Sequence, residues 1–391
     1  MSYFEKVAAR APLDRHRVLS RTAGVRVSPL CLGGASLGDA WSKAGGAMGN
    51  GADETASFAL LDAYFAQGGN FIDMANNYQD GESERILGAW MRARGNRDEL
   101  VITSKYTSTF KFQQGPAAGV HISANFNGNA KKSLRLSLDH TLASLGTDYV
   151  DILYVHWWDW TTSVEEMMQA LNREVQAGRV LYLGASDMPA WVVSSANAYA
   201  RAHALAPFSV YEGLWSILQR DMERDIVPMC RVEGMAICPW GAVGRGKLRT
   251  EAEIEERIRT RGPLRGGAPQ TDLEKRVSAG LDEMVKTDFD DKISITQLAL
   301  AWLLAKYPYC VPIAGVTEKR HLESNMSAVS IRLTDAQMAR IEALSPFEPG
   351  FPYSYIKHDP RESADQAQSS WLASCGELDW VHAERSINRL P

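Results

Sequence analysis

Cysteine is scarce in this sequence. Five occur in 391 residues, Cys31, Cys230, Cys238, Cys310 and Cys375. Their number is odd, their spacing wide and most lie in apolar runs, so they read as reduced core residues rather than a disulfide framework. No H-E-x-x-H and no paired-cysteine spacing occurs among the eight His and five Cys, which removes the common patterns of metal catalysis. Positive charge is not in surplus either. With 42 Lys and Arg against 47 Asp and Glu, the formal charge is -5, too negative to grip a phosphate backbone, so nucleic acid is not an expected partner. No window of about 18 uninterrupted apolar residues appears, and the opening "MSYFEKVAARAPLDRHR" carries charges where a secretory leader needs an apolar core. The expectation is a cytoplasmic protein without a membrane partner, in which the sequon Asn325-Met326-Ser327 is a chance match.

What is present is a folded composition, 45% hydrophobic and 23% charged. After an arm containing "GVRVSPLCLGG", short apolar runs alternate with longer stretches of helical periodicity. The strand-like runs are Leu30 to Leu32, Phe71 to Asp73, Val101 to Ser104, Val150 to Val155, Val180 to Gly184, Ser209 to Tyr211, Ala236 to Cys238, and Cys310 to Pro312. Helix candidates include "ETASFALLDAYFAQGG", "KKSLRLSLDHTLASLG", "SVEEMMQALNREVQAG" and "ITQLALAWLLAKY". Strand then helix, repeated eight times, predicts a single closed (β/α)8 TIM barrel of the α/β class over the whole chain 1–391. Its core lies at about 18–344, with an amino-terminal β-hairpin before it and a carboxy-terminal extension at about 345–391. An open dinucleotide-binding sheet is the alternative, but the first run is followed by "GGASLGDAW" rather than G-x-G-x-x-G. Long segments follow the third and seventh runs, Tyr106 to Ala130 and Trp240 to about Thr271, and both fall at the mouth where such barrels carry their sites. The extension, with Trp371 and Trp380, folds over that mouth or along the outer helices.

In "FIDMANNYQDGESE", Asp73 ends the second strand and Tyr78 follows in the loop. Lys105 ends the third strand and His156 the fourth. Singly, each reads as a turn former, a rim charge or an inert histidine. Together, an acid, a phenol, an amine and an imidazole at adjacent strand ends converge on one point. A phenol keeps its proton at neutral pH and can give it to an oxygen gaining negative charge. An ammonium about 4 Å away favours the phenolate by up to roughly 4 kcal/mol at an effective dielectric near 20, about three pKa units before desolvation subtracts from it. Lys105 is the expected tuner, Asp73 its holder, and His156 a donor that orients a carbonyl. Nothing in the set supplies electrons, so a bound cofactor must.

The segment "GGNFIDMANNYQDGESERILG", followed in order by "ITSK", "YVDILYVHWWD", "GRVLYLGASD" and "RHLESN", resembles the aldo-keto reductase family over about Val18 to Leu344. "HWWDW", "GASDMPAW", "QRDMERDIVPMC" and "CPWGAVGRGKL" resemble its aryl-alcohol dehydrogenase branch, with norsolorinic acid reductase-like members. The resemblance implies a barrel that binds NADPH and reversibly reduces aldehydes or ketones. It places Asp73, Tyr78, Lys105 and His156 in the catalytic positions. It also implies that Ser186, Asp187 and Glu212 lie near the nicotinamide amide and that Trp215 stacks on its ring. Gly241, Arg245 and Lys247, with backbone amides of "GAVGRGKL", would lie at the pyrophosphate, and Gly315, Thr317, His321 and Asn325 at the adenosine. Lys319 or Arg320 would meet the 2'-phosphate, unless they form a solvated helix start. Glu212 stands where the family usually has Gln, and an ionised carboxylate cannot donate. Asp187 stands where most of the family has Asn. "GAVGRGKL" also satisfies G-x-x-x-x-G-K, but Leu248 lacks the hydroxyl a P-loop needs. Trp41, Trp157 and Trp158 could form aromatic walls for an aryl aldehyde or cap the barrel core. A non-enzymatic, cofactor-binding regulatory subunit is the rival reading, and assembly into a homo-oligomer is open.

Overall fold

The computed structural model describes residues 7–44, 51–110, 121–261, 268–362 and 369–390. Parts of the two long mouth loops and of the carboxy-terminal extension therefore lie outside the described residues.

Two antiparallel strands, β1 (Arg17–Ser20) and β2 (Ala23–Val27), form the expected hairpin. Eight parallel strands follow: β3 (Cys31–Gly33), β4 (Phe71–Asp73), β5 (Val101–Tyr106), β6 (Val150–Val155), β7 (Val180–Ser186), β8 (Phe208–Leu214), β9 (Ala236–Trp240) and β10 (Ile313–Ala314). They hydrogen-bond in sequence order, with β10 beside β3. Closure runs through the segment before β10: Ile237 N donates to Tyr309 O at 3.0 Å and Val311 N to Ile237 O at 2.9 Å. The eighth strand is thus three residues later than Cys310 to Pro312. Cys310 and Val311 of that stretch pair with β9, Pro312 O already accepts from Cys31 N of β3, and the pairing with β3 continues through Ile313 and Ala314.

Helices cover the outside. Those used below are α1 (Glu54–Ala66), α2 (Glu82–Arg94), α3 (Lys131–Leu145), α4 (Val164–Gln176), α5 (Ala190–Ala202), α6 (Ile226–Glu233), α7 (Glu251–Arg261), α8 (Asp272–Phe289), α9 (Ile295–Lys306), α10 (Lys319–Ser327) and α11 (Asp335–Leu344). Their starts are chemically marked. Thr271, Ser294 and Thr334 each accept from the third helical N–H while Glu274, Gln297 and Gln337 reach back to the cap. Gly95, Gly146 and Gly234 end α2, α3 and α6 in the left-handed conformation.

Leu19, Ala23 and Val27 of the hairpin pack against Phe71, Val101, Ile152, Val210 and Val311 inside the barrel, plugging its amino-terminal end. The polar work is left to the opposite mouth. Backbone strain concentrates there: Gln79, Asp80, Thr107, Trp160, Asp187 and Arg245, all just past strand ends, have positive φ without being glycine.

The extension divides its contacts. Pro349 O accepts from Arg224, and Tyr353 gives its hydroxyl proton to Asp225, so its first part rests on the loop after β8. Its last part runs to the hairpin and outer helices: buried Asn388 accepts from Arg17 at 2.6 Å and donates to Val329 O and Ile331 O.

Candidate active site

Four expected residues meet at the mouth. The Lys105 side chain rises from β5 fully buried, and its ammonium lies 2.7 Å from both oxygens of Asp73, 3.0 Å from Met74 O and 3.1 Å from the Tyr78 hydroxyl. Asp73 also accepts from Thr103 Oγ1 at 2.7 Å, and that oxygen accepts from Met74 N at 3.1 Å. The β4 end is thereby fixed against β5 by side chain and backbone together. The Tyr78 and His156 rings stand edge to face, 6.2 Å apart. His156 Nδ1 is 3.2 Å from Ser108 Oγ, which accepts the indole N–H of Trp157 at 3.1 Å.

Burial works against the charge on Lys105, but its polar neighbours, Asp73 foremost, more than offset it and hold the amine well above its ordinary pKa. Burial pushes the Tyr78 phenol above its usual value even though Lys105 pulls the other way, and Asp73 adds to the rise. This corrects the expected outcome of tuning. Lys105 touches Tyr78, yet desolvation outweighs its pull. His156 is pushed down to about 3 by burial and by Lys105, so its imidazole is neutral throughout the physiological range.

On the next strands the register places Ser186 of β7 beside Glu212 of β8. Both are buried, and neither Ser186 Oγ nor Glu212 Oε2 has a hydrogen-bond partner. Buried polar atoms without partners are costly, so the pair fits an amide-bearing ligand that would satisfy them. Asp187 follows in left-handed backbone, φ 44°, a conformation Asp tolerates better than most residues. Its carboxylate accepts from Trp240 Nε1 at 3.2 Å.

Trp215 is not placed as expected. It is fully buried, donates its N–H to Glu223 at 3.1 Å and packs edge-on against Trp302 of α9, so no face is open to a ligand. The aromatic at the mouth is Trp240, the last residue of β9, partly exposed and covered on one side by the Arg245 guanidinium at 5.0 Å. Sequence reading passed over it. The signal was its position at a strand end, one residue before Gly241.

The "GAVGRGKL" loop differs from expectation in detail. Gly241, Gly244, Arg245 and Gly246 all have positive φ, but the amides of Gly244, Gly246 and Lys247 close the loop's own turns. Lys247 is ion-paired with Glu274 of α8 at 3.1 Å. Of the two basic residues named there, Arg245 faces the mouth aromatic and Lys247 is committed to a helix. Farther out, Arg320, which is ion-paired with Glu318, and His321 share a cleft of about 320 Å³ with Arg249, Arg257, Glu253 and Glu256 from the segment carrying α7. The two extra arginines were not foreseen. Lys319 is exposed and lies near Glu323, outside the cleft lining, while Asn325 is buried and Gly315 and Thr317 lie just after β10.

Of the aromatic walls, Trp41 stacks edge-on to Tyr78 with ring centres 6.3 Å apart, and its N–H donates to Asp80. Trp157 is 38% exposed, whereas Trp158 is buried in the hydrophobic core, the capping role rather than an open wall. Trp160 and Trp191 add an exposed pair 6.5 Å apart on the rim. Ser104 of β5 donates to Glu84 of α2 at 2.7 Å, and burial raises that carboxyl to about 7. Among the described residues, no group of three or more His, Cys, Asp or Glu could hold a metal ion, and no helix is long and apolar enough to cross a membrane.

Comparison with known proteins finds a match to the aldo/keto reductase family over residues 29–346. A putative aryl-alcohol dehydrogenase of Saccharomyces cerevisiae is 48% identical over 89% of this chain and 91% of its own. Norsolorinic acid reductase A of Aspergillus parasiticus is 44% identical over 97% of this chain and 94% of its own. An NADP(+) aryl-alcohol dehydrogenase of Phanerodontia chrysosporium is 46% identical over 87% of this chain and 88% of its own.

Proposed function

The chain belongs to the aldo/keto reductase family, and from that premise we propose that it is an NADP-dependent oxidoreductase that reduces aryl aldehydes to alcohols, reversibly, with Tyr78 as the proton donor. One observation carries the reading. The Asp73–Lys105–Tyr78 chain, buried at Asp73 and Lys105 and reaching the mouth at Tyr78, sits one strand from neutral His156 and faces an unsatisfied pair, Ser186 and Glu212, suited to a carboxamide.

When bound, the nicotinamide supplies the hydride that the protein's own side chains cannot. Tyr78 holds the proton that must reach the carbonyl oxygen, and its raised pKa keeps that proton in place until charge develops there. Lys105 places a fixed positive charge 3.1 Å from the same hydroxyl, which stabilises the phenolate left behind. Asp73 holds the ammonium with both oxygens. Ser108 Oγ accepts from Trp157 and can give its own proton to His156 Nδ1 when the imidazole carries its hydrogen on Nε2. That tautomer leaves Nε2–H as a donor to the substrate oxygen. Trp240 offers a ring for the nicotinamide in place of Trp215, and Arg249, Arg257 and Arg320, which line a cleft together with Glu253 and Glu256, are the cations offered to a phosphate at the adenosine end. The half-open rings of Trp41 and Trp157 flank Tyr78 and His156 and favour flat aromatic carbonyls.

The test is cofactor oxidation with a panel of aromatic and aliphatic aldehydes and ketones, run with NADPH and with NADH. Turnover is expected with aromatic aldehydes and NADPH first. No turnover across the panel, despite tight cofactor binding, would favour a regulatory cofactor-binding role.

A further inference from the structure

Glu212 makes the site of this chain electrically unusual. Its carboxyl lies 3.3 Å from Lys105 Nζ, is buried, and makes no hydrogen bond through Oε2. The reason is geometric. An ammonium has three N–H donors, and Lys105 already faces two Asp73 oxygens, Met74 O and the Tyr78 hydroxyl within 3.1 Å. No proton is left for Glu212, so the contact is electrostatic rather than directional. The charges do not balance either. Asp73 and Lys105 face Glu212 from β4 and β5, with Tyr78 behind them, and Asp187 faces it from the end of β7. Inside the barrel lie the phenol of Tyr154 and the thiols of Cys31 and Cys238, and from its own strand comes Tyr211. Lys105 is the one cation among these groups, and Asp73 already neutralises it at hydrogen-bond distance. An ionised Glu212 would be a second, unpaired negative charge in a dry space, which is far costlier than a neutral acid there.

We propose that Glu212 works as a protonated carboxyl that, together with Ser186, positions the cofactor by donating a hydrogen bond to its carboxamide. A neutral carboxylic acid offers one donor and one acceptor, the same complement a glutamine would present on that side. The carboxyl thus replaces an amide without loss of donor capacity as long as it keeps its proton. Burial and Asp73 both raise its pKa well above the ordinary carboxyl value, against the pull of Lys105. The cofactor half of this proposal rests on the nicotinamide reading above; the proton does not.

Two measurements on the full chain test it. An infrared difference spectrum, wild type minus Glu212→Gln, should show the C=O band of a protonated carboxyl at about pH 7; carboxylate bands alone would overturn the proposal. In cofactor titrations, Glu212→Ala should weaken NADPH binding about tenfold, the equivalent of one lost hydrogen bond in a buried site. Glu212→Gln should recover most of that loss, because it keeps a donor. Gln binding as poorly as Ala would overturn the positioning role. Cofactor binding insensitive to both variants, with the infrared band present, would overturn the nicotinamide placement while leaving the proton assigned. Stability gives a readout free of ligand. A carboxyl with a raised folded pKa contributes stability below its unfolded pKa of about 4.5 and loses it as pH rises. The melting temperature of Glu212→Gln should therefore pull ahead of wild type progressively between about pH 5 and 8, and a constant offset would contradict a held proton.

Discussion

At the scale of single residues, the structure brings an acid, a phenol, an amine and an imidazole into one cluster, the arrangement the proposed proton transfer needs. The phenol holds its proton because it is poorly solvated, the amine holds its charge because Asp73 grips it with both oxygens, and the imidazole is neutral because burial and Lys105 both oppose a second charge. The last point has a pH consequence. His156 is pushed down to about 3, so the unfolded state binds a proton below about pH 6.5 that the folded state refuses. Stability should fall as pH drops from about 6.5 toward 3, and thermal melts should show a shallower fall in His156→Gln. The same shift predicts that kcat/KM for reduction carries no His156 ionisation near pH 6.5; a bend there removed by His156→Gln would show that the imidazole titrates. Ser108→Ala should lower kcat about tenfold by freeing the imidazole to take the other tautomer, with cofactor affinity little changed, measured by steady-state kinetics beside cofactor titration. Trp240 and Trp215 can be told apart by fluorescence. Cofactor quenching should drop sharply in Trp240→Phe and persist in Trp215→Phe.

At the scale of elements, the strand ends position the site, and close approach between strands leaves little tolerance. Gly184 of β7 is an example: a Cβ there would lie 2.4 Å from the Tyr154 ring of β6. Gly184→Ala should cost about 1–3 kcal/mol in denaturant unfolding, since that ring has only the packed barrel interior to move into. The segment carrying α7 supplies Arg249 and Arg257 opposite Arg320, so Arg257→Ala should raise the KM for NADPH about tenfold while changing that for NADH less than twofold, roughly one charge-assisted hydrogen bond. Much of this scale was legible in the sequence. The strand-end spacing of Asp73, Lys105 and His156 located three functional groups because strand direction alone carries them to the mouth. The sequence points to Trp215 and not to Trp240. Both lie close to a strand's end, and the choice depends on whether the ring turns under α9 toward Trp302 or stays at the mouth beside Asp187. Nor could it show that Lys247 is held by Glu274, a partner far along the chain. The last strand was misplaced for a similar reason, because Cys310 and Val311 serve β9 while Ile313 and Ala314 serve β3.

At the scale of the whole molecule, the barrel is closed at one end by the hairpin and open at the other, and the extension braces both. Arg220 ties the loop after β8 to Glu342 of α11 and to Ser345 O, while Lys306 of α9 reaches Glu223 and Glu342. At the far end, Asn388 joins the hairpin to the outer helices through bonds made entirely by one buried amide. Asn388→Ala would strand those partners and should destabilise by about 1–3 kcal/mol without changing the KM for cofactor, checked by thermal melts beside kinetics. The sequence could not place this extension, since its contacts span more than three hundred residues and follow from shape rather than local pattern. At the mouth, the proposed mechanism has the Tyr78 phenol give up its proton beside the buried Lys105 ammonium. Substitution of Tyr78 by Phe, with turnover of an aromatic aldehyde and NADPH affinity measured on the same preparation, tests it most directly. Loss of at least about a hundredfold in turnover with affinity held within about threefold is the predicted result. Turnover retained, or cofactor binding lost with it, would contradict the account.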